Sequence, residues 1–310
     1  MKFAFVSEYL PPSTHSPGGA GMIYRLLAPL DPAQYCLISR GDYDSDCYAQ
    51  APNRLPATYH RVSSGVLPAL DGSGRRAARR RSAPAIPRRL GNVLGRAWKM
   101  AAILKLEGCS AVVACPDRVG DLPTAFLASR LARARFLPYF FDYYSAWFNR
   151  GPSGLVARRP EPVIIKRAAA VIVPNEGLRD TLARRYGVEA AVIHNACDLS
   201  VYQGPTAAPR GHPDVGAGED GRVPRRIPTD PRSLPGGIVR RAVLRRHDCG
   251  LVVSTQDPDA LAQALGRLRV DTALRERLSV NAWARARADF DLARARADFA
   301  GLFGISPAGA

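Results

Sequence analysis

Apolar positions along this chain change period in a regular way. Phe3 to Val6 is a short continuous apolar run that ends before Glu8, as a buried strand does. Turn-forming Pro11-Pro12-Ser13 and Ser16-Pro17-Gly18-Gly19 follow, and then Ile23, Leu26, Leu27 and Leu30 recur at helical spacing. The opening therefore reads as strand, glycine-rich loop and helix over about 20–30. Tyr35 to Ser39 reads as a second strand, and from Val93 a helix carries Trp98, Ala102 and Leu106 four apart. Next come a strand at Ala111–Ala114, a helix near 122–134, a strand from Phe136 to Phe141 and a helix at 161–169. Val171–Val173 is a strand, Asn175 caps a helix carrying Leu178, Leu182 and Tyr186, Gly187 ends it, and Ala191–Ile193 is a further strand. Strand and helix thus alternate to about residue 195. The fold class expected is α/β, a parallel doubly wound sheet with ligands at the carboxyl ends of its strands.

The pattern then breaks. Residues 204–248 mix proline, glycine and arginine with no sustained apolar period, as a linker or an unpackable stretch would. Order returns with an expected strand from Gly250 to Ser254 and a helix capped by Asp257-Pro258 with Leu261, Leu265 and Leu268 on one face. Helices from Asp271 and from Asp291 complete the chain, the last presenting Phe299, Leu302 and Phe303. One strand and three helices do not make a sheet domain. The organisation expected is a Rossmann-like domain over 1–203, an irregular segment over 204–248, a remnant of a second domain over 249–303 and a tail over 304–310.

Composition narrows the partners only a little. The chain has 310 residues and a net charge of +17, from 44 Lys and Arg against 27 Asp and Glu. Such an excess suits phosphate-bearing ligands, anionic lipid or nucleic acid alike. The positive charge concentrates in a basic, flexible segment over 71–92 that includes the run Arg75–Arg89. Contact of that run with an anionic membrane and a solvated loop are equal expectations. Nucleic acid is not expected as a partner, since neither stacking aromatics nor a recognised binding motif accompanies the arginines. The six cysteines show no C-x-x-C pair, so no metal site is expected, and Asp42, Asp44 and Asp46 read as a solvated turn. No leader segment or membrane span stands out, and a cytoplasmic protein is expected.

Candidate chemistry starts at Gly18 and Gly19. Unpaired N–H groups at a helix start attract phosphate, and two glycines let a ligand reach the backbone. Asp142 stands at the carboxyl end of a strand. Asn195 and Asp198 suit a turn in which their side chains bond nearby backbone, and His194 reads as structural.

Three segments give the chain a family likeness: the opening FVSEYLPPS…PGGAG; Lys166 to Asn175 continuing through Tyr186-Gly187 to Ile193-His194-Asn195-Ala196-Cys197-Asp198; and Cys249 to Val253 with Asp257-Pro258-Asp259-Ala260-Leu261 and Asn281-Ala282. In their order and spacing they resemble the retaining glycosyltransferases of the GT-B fold, family 4 or group 1 type. The resemblance implies an N-terminal acceptor domain facing a C-terminal donor domain across a cleft, and a nucleotide-diphosphate sugar as donor. It implies a saccharide or lipid-linked acceptor, retention of anomeric configuration, and no cofactor or bound metal. Gly18 and Gly19 would then face the donor phosphates. Asp142, in a place where many relatives carry His or Asp, would be catalytic, and Asn195 would bind substrate at the hinge. The chain departs from the family between Tyr202 and Cys249, where relatives carry a much longer stretch with two donor-gripping glutamates eight positions apart. Here Glu8, Glu107, Glu161, Glu176, Glu189, Glu219 and Glu276 include no such pair. An incomplete second domain, and with it an inactive donor site, is the expectation.

Overall fold

The structure, a computed structural model, describes residues 1–12, 17–43, 45, 48, 50–63, 85–144, 158–201, 244–254 and 257–305. It forms two compact units, one of Met1–Asn195 with Ala295–Ala310 and the other of Ala196–Arg294.

The first unit is built on parallel strands. β1 (Phe3–Val6), β2 (Tyr35–Ser39), β3 (Thr58–Arg61), β4 (Ala111–Ala114) and β5 (Arg135–Pro138) lie in the order β3-β2-β1-β4-β5. The register sets Ala4 beside Cys36 on one side and Val112 on the other. A bridge between Tyr139 and Ile172, with Phe140 N–H donating to the Ile172 carbonyl at 2.9 Å, joins β5 to β6 (Ile172–Val173), which pairs with β7 (Ala191–Val192). The resulting order, 3-2-1-4-5-6-7, reverses direction between β1 and β4.

Strands β1, β2 and β4 are buried along their whole length, which is why their sequences run apolar without alternation. One sheet face carries Ala4, Val6, Cys36, Ile38, Val112 and Ala114 into a core shared with α2 (Ala85–Leu106) and α3 (Asp121–Ala132), which pack along each other. The small Ala4 and Ala114 leave room there for Met100, Leu104 and Phe126. The other face presents Phe3, Phe5 and Tyr35. Against it come Phe299 and Phe303 from the end of the chain; the Phe3 and Phe303 rings stack at 4.4 Å, and Phe299 meets Phe3 edge-on at 6.0 Å. Arg296 Nε anchors this return by donating to the carbonyl of Arg25 in α1 (Pro17–Leu27) at 2.8 Å.

Helix ends follow their sequence signals. Asn175 Oδ1 accepts from Leu178 N–H at 2.9 Å at the start of α5 (Glu176–Tyr186), and Gly187 closes that helix with φ 67°. The shorter α4 (Glu161–Lys166) precedes it, and Tyr186 donates to Glu161 Oε2 at 2.8 Å.

Among the described residues, the second unit is helical: α6 (Pro258–Val270) and α7 (Thr272–Asp289) are capped by Asp257 and Asp271, as expected. Asp291 Oδ1 accepts from Arg294 N–H at the head of α8 (Leu292–Gly301), whose residues from Ala295 belong to the first unit.

Three expectations change. Residues 250–254 are not a strand, because no strand stands beside them among the described residues to take up their backbone groups. Of the basic segment, 85–92 is helical: α2 begins at Ala85, and Leu90, Val93, Leu94 and Ala97 carry its spacing upstream. Arg75, Arg76, Arg79, Arg80 and Arg81 lie outside the described residues, as does 202–243, most of the irregular stretch. Finally, β3 has no counterpart in the apolar pattern, since TYHR at a sheet edge is held by pairing with β2 and carries no buried run of its own.

Candidate functional site

In an open parallel sheet the strand order reverses at one point, and there the connections leave on opposite faces and open a crevice at the carboxyl ends. Here that point lies between β1 and β4. The residues leaving β1 are Ser7 and Glu8; those leaving β4 are Cys115, Pro116, Asp117 and Arg118.

These residues are bonded into one polar cluster. Glu8 N–H donates to Asp117 Oδ2 at 3.0 Å, and Ser7 Oγ donates to the same oxygen at 3.2 Å. Arg118 Nη2 donates to Glu8 Oε1 at 2.9 Å, while Arg40 Nε, just past β2, lies 3.6 Å from Glu8 Oε2. The Glu8 carbonyl accepts from Ser39 Oγ at 3.0 Å and from Tyr43 OH at 3.1 Å, and Tyr43 OH in turn accepts from Leu10 N–H at 2.8 Å. Tyr59 OH donates to the Pro11 carbonyl at 2.7 Å. The backbone after β1 is therefore fixed by side chains from β2, β3 and their loop, and Glu8 is held in one place.

Beneath the cluster lies a buried ion pair. Arg96 Nη2 of α2 donates to Asp121 Oδ1 at 3.0 Å, and Asp121 Oδ2 accepts from Arg118 N–H at 2.9 Å. Glu8 Oε2 and Arg96 Nε are buried with no hydrogen-bond partner. Both border a cavity of about 20 Å³, walled also by Ser7, Ser39, Arg40 and Asp121, with room for about one water. One water there could reach both atoms.

Asp117 adds a titration near neutrality. Desolvation pushes its carboxyl up to about 6, and the negative charges of Asp121 and Glu8 push the same way, against the hydrogen bonds from Glu8 N–H and Ser7.

Of the residues singled out from sequence, Gly18 and Gly19 follow β1 and lie inside the first turn of α1, one residue later than a loop preceding the helix. Pro17 brings no N–H, so within the helix the N–H groups of Gly18 and Gly19 are the ones its start leaves without intrahelical partners. Gly18 is exposed, and a Cβ added there would meet nothing within 4 Å. Asp142 is exposed beyond β5, one strand further along than β4. Asn195 is exposed beyond β7, four strand steps from β1, or about 19 Å at ~4.8 Å per step. Asn195 therefore lies at the far edge of the sheet from the switch point, while the two glycines stand at the start of the helix that follows β1. Asp198 shapes a local turn by accepting from Ser200 N–H at 3.0 Å and Oγ at 2.6 Å, and His194 Nε2 lies 3.3 Å from Glu176 Oε1.

Sequence reasoning missed Glu8, Arg40, Asp117 and Arg118. Each is a charged residue just past an apolar strand, so the pattern that located the strands also carried this signal.

Fold and cluster together define a Rossmann-like domain with a charged cluster at its β1/β4 switch point. A family model described as Glycosyltransferase Family 4 matches residues 40–201, just over half of the chain, and the chain belongs to that family. Solved structures similar in fold, each at 12% identity, include HepE from Anabaena in complex with UDP, with a TM-score of 0.62 over 98% of this chain and 100% of that one. Sucrose-phosphate synthase from Thermosynechococcus elongatus follows at 0.56 over 98% of each chain, and the calicheamicin glycosyltransferase CalG4 at 0.50 over the same shares. The fold is that of the GT-B glycosyltransferases. No curated protein matches the chain. Among the described residues, no helix is long and apolar enough to cross a membrane.

Proposed function

We propose that this protein acts in the transfer of a sugar from a nucleotide-diphosphate donor to a saccharide or lipid-linked acceptor, with retention of anomeric configuration. The observation that carries the reading is Glu8, paired with Arg40 and Arg118 and bonded through its own N–H to the Asp117 carboxylate, at the switch point of a family 4 fold. Carboxylates accept hydrogen bonds from sugar hydroxyls, so Glu8 and Asp117 are assigned to the acceptor and the arginines to orienting Glu8. Gly18 and Gly19 are assigned to the donor phosphates, through backbone N–H groups at the positive end of α1. Asp142 is assigned to the reacting sugar and Asn195 to the substrate at the edge of the sheet. HepE was solved with UDP, which supports a nucleotide-linked donor here. Peripheral contact with an anionic membrane through Arg75–Arg89 is part of the same reading, because it would bring a membrane-borne acceptor to the site.

A second reading has one specific observation in its favour. The sequence lacks the paired glutamates of a donor site, and the described residues of the second unit form helices without a strand. On that reading the chain binds acceptor and does not turn over.

A panel of nucleotide-sugar donors, assayed with saccharide and lipid-linked acceptors, separates the two. Sugar transfer abolished by Glu8→Gln supports the enzyme. Absence of any heat of binding with nucleoside diphosphates rejects it in favour of the acceptor-binding protein.

A further inference from the structure

Toward the amino ends of the same strands, five polar side chains meet on the sheet face that α2 covers. Cys36 is the second residue of β2 and Cys109 lies just before β4, so the two approach from either side of β1 with their sulfurs 3.7 Å apart. His60 comes from β3 and Glu107 from the residue after α2; His60 Nε2 lies 2.7 Å from Glu107 Oε1. The ligating atoms of Cys36, His60 and Glu107 all lie within 4.8 Å of one another. Lys2 Nζ holds the second oxygen of Glu107 at 2.5 Å. Both cysteines are buried and free, whereas the side chains of His60 and Glu107 are 19% and 15% exposed, which leaves a way in from solvent.

We propose that Cys36, Cys109, His60 and Glu107 form a site for a borderline-soft divalent cation of the zinc class. A tetrahedral ion with metal–sulfur bonds of about 2.3 Å sets two thiolate sulfurs about 3.8 Å apart, close to the separation observed. Nitrogen and oxygen ligands at about 2.0–2.1 Å stand about 3.4 Å apart, so His60 and Glu107 must part their hydrogen bond by a small side-chain rotation, and Cys109, close to Cys36 but outside the tight Cys36–His60–Glu107 group, must swing its sulfur toward them. Two thiolates and one carboxylate would balance the ion together with the Lys2 ammonium, leaving the site neutral overall. Lys2 would hold Glu107 in orientation from behind, as outer-shell partners do. A disulfide between the same cysteines would need the sulfurs to close by about 1.7 Å and gives no role to His60, Glu107 or Lys2. The ion would tie β2, β3, the turn before β4 and the end of α2 to one point.

Titration of the reduced full-length chain with Co2+ tests the site. The expected result is uptake of one equivalent with a thiolate-to-cobalt charge-transfer band and the intense visible bands of a tetrahedral ion. Cys36→Ser or Cys109→Ser should remove about half of the charge-transfer intensity, and His60→Gln or Glu107→Gln should weaken Co2+ binding at least tenfold. Zn2+ should raise the melting temperature of the native chain and not that of the Cys36→Ser/Cys109→Ser double variant. If the cysteine variants do not fold, the two partly exposed positions, His60 and Glu107, carry the test. Cobalt bound without a charge-transfer band, or bound equally by all four single variants, overturns the proposal. So does a Cys36–Cys109 disulfide in a chain that takes up no metal once reduced.

Discussion

Arg96 and Asp121 form an ion pair at 3.0 Å with side chains only 9% and 11% exposed, one on α2 and the other in the first turn of α3. Breaking one half of a buried pair strands the other charge and costs about 3–5 kcal/mol, more than the pair itself contributes over an apolar replacement. Arg96→Met alone should therefore lower the unfolding free energy by about 3–5 kcal/mol, and Arg96→Met with Asp121→Leu should recover most of it. Urea denaturation of the three proteins checks this. Equal losses in the single and double variants would show that the pair is not the source.

The Asp117 carboxyl should titrate at about 6, followed by its carboxyl-carbon resonance. Its pKa in the fold lies above the ordinary 3.8, so the protonated form is the one the fold favours. Its contribution to stability is then full below the unfolded value and is lost as pH rises from about 4 through about 6. Asp117 keeps solvent-exposed surface beside its desolvated carboxyl, so screening should hold the slope to about 1 kcal/mol or less. Asp117→Asn should flatten it, and a midpoint near 4 would remove the argument from desolvation.

Gly18→Ala separates folding from binding. Nothing crowds a Cβ at Gly18, and alanine in a helix is favoured over glycine by about 0.5–1 kcal/mol. Thermal melts should show a chain as stable as the native one or slightly more so. If the first-turn N–H groups face donor phosphates, the same substitution should weaken nucleoside diphosphate binding. Unchanged affinity would detach Gly18 from the site.

Phe299→Ala should be costly. Its ring is 1% exposed and lies 5.2 Å from Phe303 and 6.0 Å from Phe3, so truncation opens a cavity against β1 worth about 3–5 kcal/mol. Loss of less than about 1 kcal/mol in a denaturant melt would mean that the aromatic stack is not part of the first unit's core.

What the sequence made legible were the elements whose burial leaves a pattern. Phe3–Val6, Tyr35–Ser39 and Ala111–Ala114 are strands inside a sheet covered on both faces, and Asn175, Asp257 and Asp271 announce their helices by capping them. Thr58–Arg61 left no pattern because an edge strand needs only its neighbour's backbone. Gly250 to Ser254 carried the pattern of a strand and is not one, since an apolar run needs a partner that local sequence does not supply. The site was legible only in part. Gly18 and Gly19 stand close to the chain's first strand, whereas Glu8 meets Asp117 and Arg118 across more than a hundred positions, a distance that only the return of β4 beside β1 closes.

The rings of Phe299 and Phe303 cover Phe3, yet translation joins them to the chain about as late as any described residue. At roughly 5–20 residues per second, roughly 5–20 s pass between the synthesis of Asn195 and that of Phe299. Through that interval the first unit has all its strands, and Phe3 lacks the two rings that stack on it in the finished chain. The nascent protein thus presents, before it is finished, a surface that another copy or a chaperone would meet, and expression at lower temperature or with chaperone overproduction should raise its soluble yield.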